Sequence, residues 1–124
     1  ALQGVLIAVS DPENTIDRFS RFTGKTAHGT GEHFKIDLDR GQISIVSEKK
    51  CLELLPQIEI PALPYMASVI LQSENLSKTK LFFEKESFNY TLLSDEIIRI
   101  NQFDAMGTTI LIVAQGEQWP LLCV

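Results

Sequence analysis

The sequence predicts an α+β chain made of tandem βαβββ repeats that form an open barrel or cup. Three observations predict it. The segments GVLIAVSDPENTIDRFSRFTG and SVILQSENLSKTKLFFEKESF each run from an apolar strand, through a helix-cap signal, into a helix ending near an aromatic. Ile7 and Leu71, Pro12 and Leu76, and Phe19 and Phe83 recur at one offset of about 64 residues, the self-similarity expected of a duplicated unit. After each helix come strand-like segments and turns rather than a second helix, which disfavours a pair of ferredoxin-like units. The first repeat spans about 4–47, a proline-containing connector 52–66, the second repeat 67–114 and a tail 115–124. A single domain is expected, since 124 residues with 44% hydrophobic content suffice for one core.

Val5 to Val9 is a continuous apolar run, the first strand. Ser10-Asp11-Pro12-Glu13 then supplies a side-chain acceptor, a proline at the first helical position and an early acid that suits the helix dipole. Ile16, Phe19 and Phe22 can share one helix face, and Gly24-Lys25 ends the helix. His28 to Glu32 reads as a glycine-rich turn. From His33 to Asp39, Phe34, Ile36 and Leu38 alternate with His33, Lys35, Asp37 and Asp39; Arg40-Gly41 then turns the chain into a strand over Gln42 to Ser47. Only two strands after the first helix are clear. Pro56, Pro61 and Pro64 remove backbone donors, so the connector is expected to be extended rather than helical. The second repeat opens with Ser68 to Ser73, is capped at Asn75, and carries Leu76, Thr79 and Phe83 on its helix. Strands are expected at Tyr90 to Leu93, Ile97 to Asn101 and Thr108 to Ala114, and Trp119 in the tail is expected to anchor the chain end.

The formal net charge of −5 argues against nucleic acid and anionic lipid as partners. No run approaches the roughly 18 apolar residues of a membrane span, and the start lacks a secretory pattern, so a soluble, cytoplasmic chain is expected. Cys51 and Cys123 have neither the spacing of a metal clip nor a neighbouring base to make a catalytic thiolate. The chain starts at Ala1 without a methionine and enters a strand almost at once, so a longer parent polypeptide is expected.

Two βαβββ units with Asp-Pro or Asn-Leu at the helix entry, and with Gly41 and Gly107 before the last strands, resemble the vicinal oxygen chelate superfamily, which includes glyoxalase-like and bleomycin-resistance-like proteins. The likeness covers most of the chain. The IPALPY connector and the GTTILIVAQGEQWP ending are similar to bacterial glyoxalase-like domains at the ends of longer chains. In metal-using members the resemblance implies a histidine near the start of each first strand and a glutamate or similar group on each last strand. Those positions fall here on Gly4 and Ser68, and on Ser44 and Leu111. Glycine and leucine offer no side-chain donor and neutral serine hydroxyls are poor ligands, so neither metal nor other cofactor is expected.

Alternation places Leu6, Ala8, Gln42, Ser44, Ser68, Ile70, Gln72, Arg99, Asn101, Thr109 and Leu111 on the faces lining the cup. Of these, Gln42, Ser44, Ser68, Gln72, Arg99, Asn101 and Leu111 are the candidate ligand-binding residues, with Arg99 read either as a bidentate carboxylate clamp or as a side chain facing bulk water. His33, with Lys35, Asp37 and Asp39, is read as part of a solvated hairpin face. No catalytic residue is assigned. The expected function is a metal-free glyoxalase-like domain that binds a small organic molecule or serves structurally. Two alternatives stand beside it. One is part of a metal-dependent lyase, isomerase or dioxygenase whose ligands come from a missing segment or a partner subunit. The other is an interaction module that pairs with a second copy or a preceding domain.

Overall fold

The structure is a computed structural model that describes residues 2–105 and 107–120. The elements follow in the order β1 (Leu2–Val9), α1 (Pro12–Thr23), β2 (Ala27–Thr30), β3 (His33–Asp37), β4 (Gln42–Ser47) and α2 (Glu48–Leu54), then β5 (Tyr65–Ser73), α3 (Leu76–Lys85), β6 (Thr91–Ser94), β7 (Ile97–Ile100) and β8 (Thr109–Ala114). All eight strands join one sheet in the order β2-β3-β4-β1-β5-β8-β7-β6. In each half the first strand runs parallel to the last, β1 with β4 and β5 with β8, and the halves meet where β1 and β5 pair antiparallel. The two halves therefore share one topology, the tandem βαβββ arrangement of the glyoxalase-like fold.

The helix entries form as the sequence predicts. The Asp11 carboxylate accepts from the Asn14 amide at 3.1 Å with Pro12 in the first turn, and the Asn75 side chain accepts from the Lys78 amide at 3.1 Å. Gly24, at φ 72°, closes α1 in the left-handed region. Ile16 is buried, but Phe22 on the last turn is 89% exposed rather than part of the core.

Two expectations are corrected. Residues 27–30, overlapping the His28 to Glu32 segment read as a turn, form β2, a third strand that completes the first half by pairing with β3. Helical structure also precedes the prolines of the connector. Ser47 caps α2 by accepting from the Lys50 amide at 3.0 Å, and α2 stops at Leu54, where Pro56 keeps Leu55 out of the helical region. The predicted tail carries no strand over residues 115–120; its end, including Cys123, lies outside the described residues.

The sheet separates two apolar layers. On its outer face, α1 packs over Val9, Phe34, Ile36 and Ile45, and α3 brings Leu76 against Ile98 and Ile112. On the inner face Leu6, Ala8, Val46, Ile70, Ile97, Leu111 and Val113 join Cys51 of α2 and Leu55 and Ile58 of the connector in a single cluster.

Candidate functional site

The strand register lays out the inner face as two rows. One runs Lys35, Ser44, Leu6, Ser68, Thr109; the other runs Arg99, Leu111, Ile70, Gly4, Gln42, Asp37. Residues opposite one another in neighbouring strands point to the same side, so each row is a line of adjacent side chains. Lys35 and Arg99 occupy corresponding places in the two halves. Both are buried, at 6% and 9% exposure, as are Ser44, Ser68 and Thr109 of the first row.

His33 and Lys35 therefore do not lie on a solvated face. Burial, together with the charges of Lys50 and Lys35, lowers the pKa of His33 to about 4. Burial lowers Lys35 as well, against the opposing pull of Asp37, and burial also lowers Arg99. Among the described residues, neither ring nitrogen of His33, nor Arg99 Nε, nor Thr109 Oγ1 has a hydrogen-bond partner. Arg99 Nη1 donates to the Pro56 carbonyl at 2.7 Å, so one branch of the guanidinium is engaged and the Nε–H edge is not.

A histidine with a depressed folded pKa binds fewer protons when folded than when unfolded, so stability is lost as pH falls below the ordinary value of about 6.5. Between there and the folded value of about 4, the native state loses up to about 1.4 kcal/mol per pH unit from this ring. Denaturant midpoints measured at pH 6.5 and 5.5 are expected to fall in the wild type. The fall should be smaller in His33→Leu. Equal falls in both proteins would show that His33 does not carry the effect.

The connector lies across this face. The Gln102 side chain accepts from the Glu59 amide at 2.7 Å and donates to the Glu59 carbonyl at 2.8 Å and to Tyr65 Oη at 2.9 Å. Tyr65 Oη in turn donates to the Gly107 carbonyl. Trp119 packs on the same apolar cluster from the tail, held by a hydrogen bond from its amide to Gln3 Oε1 at 3.4 Å. The predicted lining residues consequently divide. Ser44, Ser68, Leu111 and Arg99 are buried. Gln42 and Gln72 are half-buried and line an open pocket of about 490 Å³ with Gln3, Asp37 and Gln118. Asn101 lies just past β7 and is exposed. Sequence reasoning missed the buried roles of Lys35, His33 and Gln102. The repeat offset held a signal for Lys35, because it aligns with Arg99.

The four positions that would hold a metal in the resembling family do not suit one. Any Cβ at Gly4 would lie 2.6 Å from the Gln42 carbonyl oxygen, so the backbone leaves no room for a ligand side chain. Leu111 is aliphatic, and Ser44 and Ser68 offer neutral hydroxyls to an ion that prefers imidazole, thiolate or carboxylate. Among the described residues no three His, Cys, Asp or Glu side chains converge on a possible ion site. Cys51 is buried and its thiol is raised to about 11, which leaves it protonated and unreactive at neutral pH. No described helix is long and apolar enough to cross a membrane.

No family model and no curated protein matches the chain. Solved structures do. Methylmalonyl-CoA epimerase from Mycobacterium tuberculosis superposes with a TM-score of 0.67 at 17% identity, over 94% of this chain and 88% of that one. A hypothetical protein from Bacillus halodurans C-125 gives 0.64 at 10% identity, over 98% of each chain. A Streptomyces coelicolor methylmalonyl-CoA epimerase variant in complex with 2-nitronate-propionyl-CoA gives 0.66 at 11% identity, over 94% and 97%. At these identities the likeness is one of fold: the chain shares the glyoxalase-like architecture of these structures.

Proposed function

We propose that this chain is a metal-independent binding domain of glyoxalase-like fold whose inner face holds a small organic carboxylate between Arg99 and Lys35. The observation that carries this reading is the pair of buried cations at corresponding places in the two halves. Neither forms an ion pair with a carboxylate of the described residues. A buried charge without a counter-ion costs several kcal/mol, and a carboxylate accepting from the unused edge of Arg99 and from the Lys35 ammonium offsets that cost. Ser44, paired with Lys35 across β3 and β4, supplies a hydroxyl donor. Because Arg99 already donates to Pro56, the ligand has to share the guanidinium with the connector or displace it.

Calorimetry and thermal unfolding against acetate, propionate and succinate test the reading. At ten times its Kd, one of these ligands is expected to stabilise the wild type by about 1.4 kcal/mol. Arg99→Met should abolish the gain, and Lys35→Met should weaken it. If no carboxylate stabilises the wild type and both variants are at least as stable, the inner face is a sealed core closed by residues 51–60, and the domain is structural. A reading as part of a metal enzyme would need outside ligands to reach four corners of which one, Leu111, is packed in a cluster with Leu55 and Ile58. A stoichiometric divalent ion retained by the purified full-length protein would favour that reading.

A further inference from the structure

On the opposite side of the sheet, away from the inner face, the structure has an open pocket of about 500 Å³ beside α1. Its floor is Ile7 and Val9, which project outward from β1, and its wall is Phe19 and Phe22 of α1, with Pro64 of the connector along the other side. That volume lies within the range that takes a small organic ligand, and the lining is mainly apolar. Two features set it apart from an ordinary surface crevice. Phe22 stands 89% exposed at the rim, leaving most of its ring in water. The one cation that lines the pocket, Arg18, is also exposed and without an ion-pair partner among the described residues. Thr15 is 9% exposed. The neighbouring Asp17 is taken up by Arg21 at 2.9 Å, and no acidic side chain lines the pocket.

We infer that this outer pocket is a second binding site, for an amphipathic carboxylate whose apolar body lies on Ile7, Val9 and Phe19 under Phe22 and whose anionic head meets Arg18. The charge complementarity selects the occupant. A neutral apolar molecule would gain the same floor and wall but leave the free guanidinium unused, and a cationic one would be repelled by it. Thr15 supplies a hydroxyl at the same wall. The site does not depend on the reading of the inner face, since it shares no residue with Lys35, Arg99, Ser44 or Ser68.

The probes are 4-phenylbutanoate and its neutral counterpart 4-phenylbutanol, titrated by calorimetry. Saturable binding of the carboxylate is expected, with the alcohol weaker by about three- to fivefold, the scale of one exposed charge contact. Arg18→Gln should remove that difference and leave the alcohol within twofold of its wild-type affinity. Phe22→Ala, at an exposed position where the fold tolerates truncation, should weaken both probes. Arg99→Met should leave both unchanged, which separates this site from the inner one. Three results would overturn the inference: no saturable binding of either probe; equal affinities for both probes, insensitive to Arg18→Gln; or concentration-dependent dimerisation lost in Phe22→Ser, which would assign the groove to a second copy of the chain.

Discussion

Replacing Leu55 by alanine is expected to destabilise the protein by about 2–5 kcal/mol and to lower its melting temperature by on the order of 10 °C. Leu55 belongs to the connector between the two halves, a place where a flexible tether would ordinarily tolerate truncation. Here it is fully buried in one cluster with Leu6, Ile70, Leu111 and Val113, which come from both halves. Truncation removes its buried methyl groups and leaves a cavity that the strands on either side are too well anchored to close. Leu52, on the short helix just before it and 42% exposed, is the control, and its change to alanine should cost no more than about 0.5 kcal/mol. If the two variants melt within a degree of each other, the connector does not form the inner core. The proposed carboxylate would then reach Arg99 without competing with Pro56.

The second large effect is expected at Gly4. Changing it to alanine places a methyl group 2.6 Å from the Gln42 carbonyl oxygen, well inside contact distance and against backbone rather than a side chain that can turn away. β1 and β4 would have to separate along a register that continues to Val9 and Ser47, at a cost of about 2–4 kcal/mol. Histidine, the residue the family resemblance implies for a metal-using relative, should cost at least as much and yield no ion site. The corresponding residue of the second half is Ser68, fully buried with its hydroxyl only weakly bonded to the Val69 carbonyl at 3.4 Å. Ser68→Ala should therefore shift stability by less than about 1 kcal/mol. Chemical denaturation of the two alanine variants side by side provides the measurement. Equal, small losses would mean that β1 can move away from β4, and a ligand side chain could then be built at Gly4.

Much of the fold was legible because its signals are local. Asp11-Pro12 and Asn75 start helices by capping geometry, Gly24 ends one, and the offset between Phe19 and Phe83 marks the repeat. Gly41 and Gly107, before the last strand of each half, both take positive φ, at 97° and 99°. Two short features escaped. β2 contains Gly29, which weakens any strand signal, and it is held by its pairing to β3 rather than by its own propensity. α2 is seven residues long and buries only Cys51 of its own residues, so its periodicity could not outweigh the prolines that follow.

The candidate site divides along the same line. By itself the sequence placed Leu6, Ser44, Ser68, Ile70, Arg99 and Leu111 on one side of their strands, because alternation along a strand is fixed by the pleat, but it left Lys35 and His33 off that side and put Asn101 on it. Which of those side chains meet solvent was decided only in three dimensions. His33 and Lys35 read as the polar side of a hairpin until a seven-residue helix, a proline-rich connector and Trp119 are laid over that side of the sheet. Burial depends on what crosses in front of a residue, and that is set by contacts between segments far apart in the chain, such as Arg99 with Pro56 and Gln102 with Glu59.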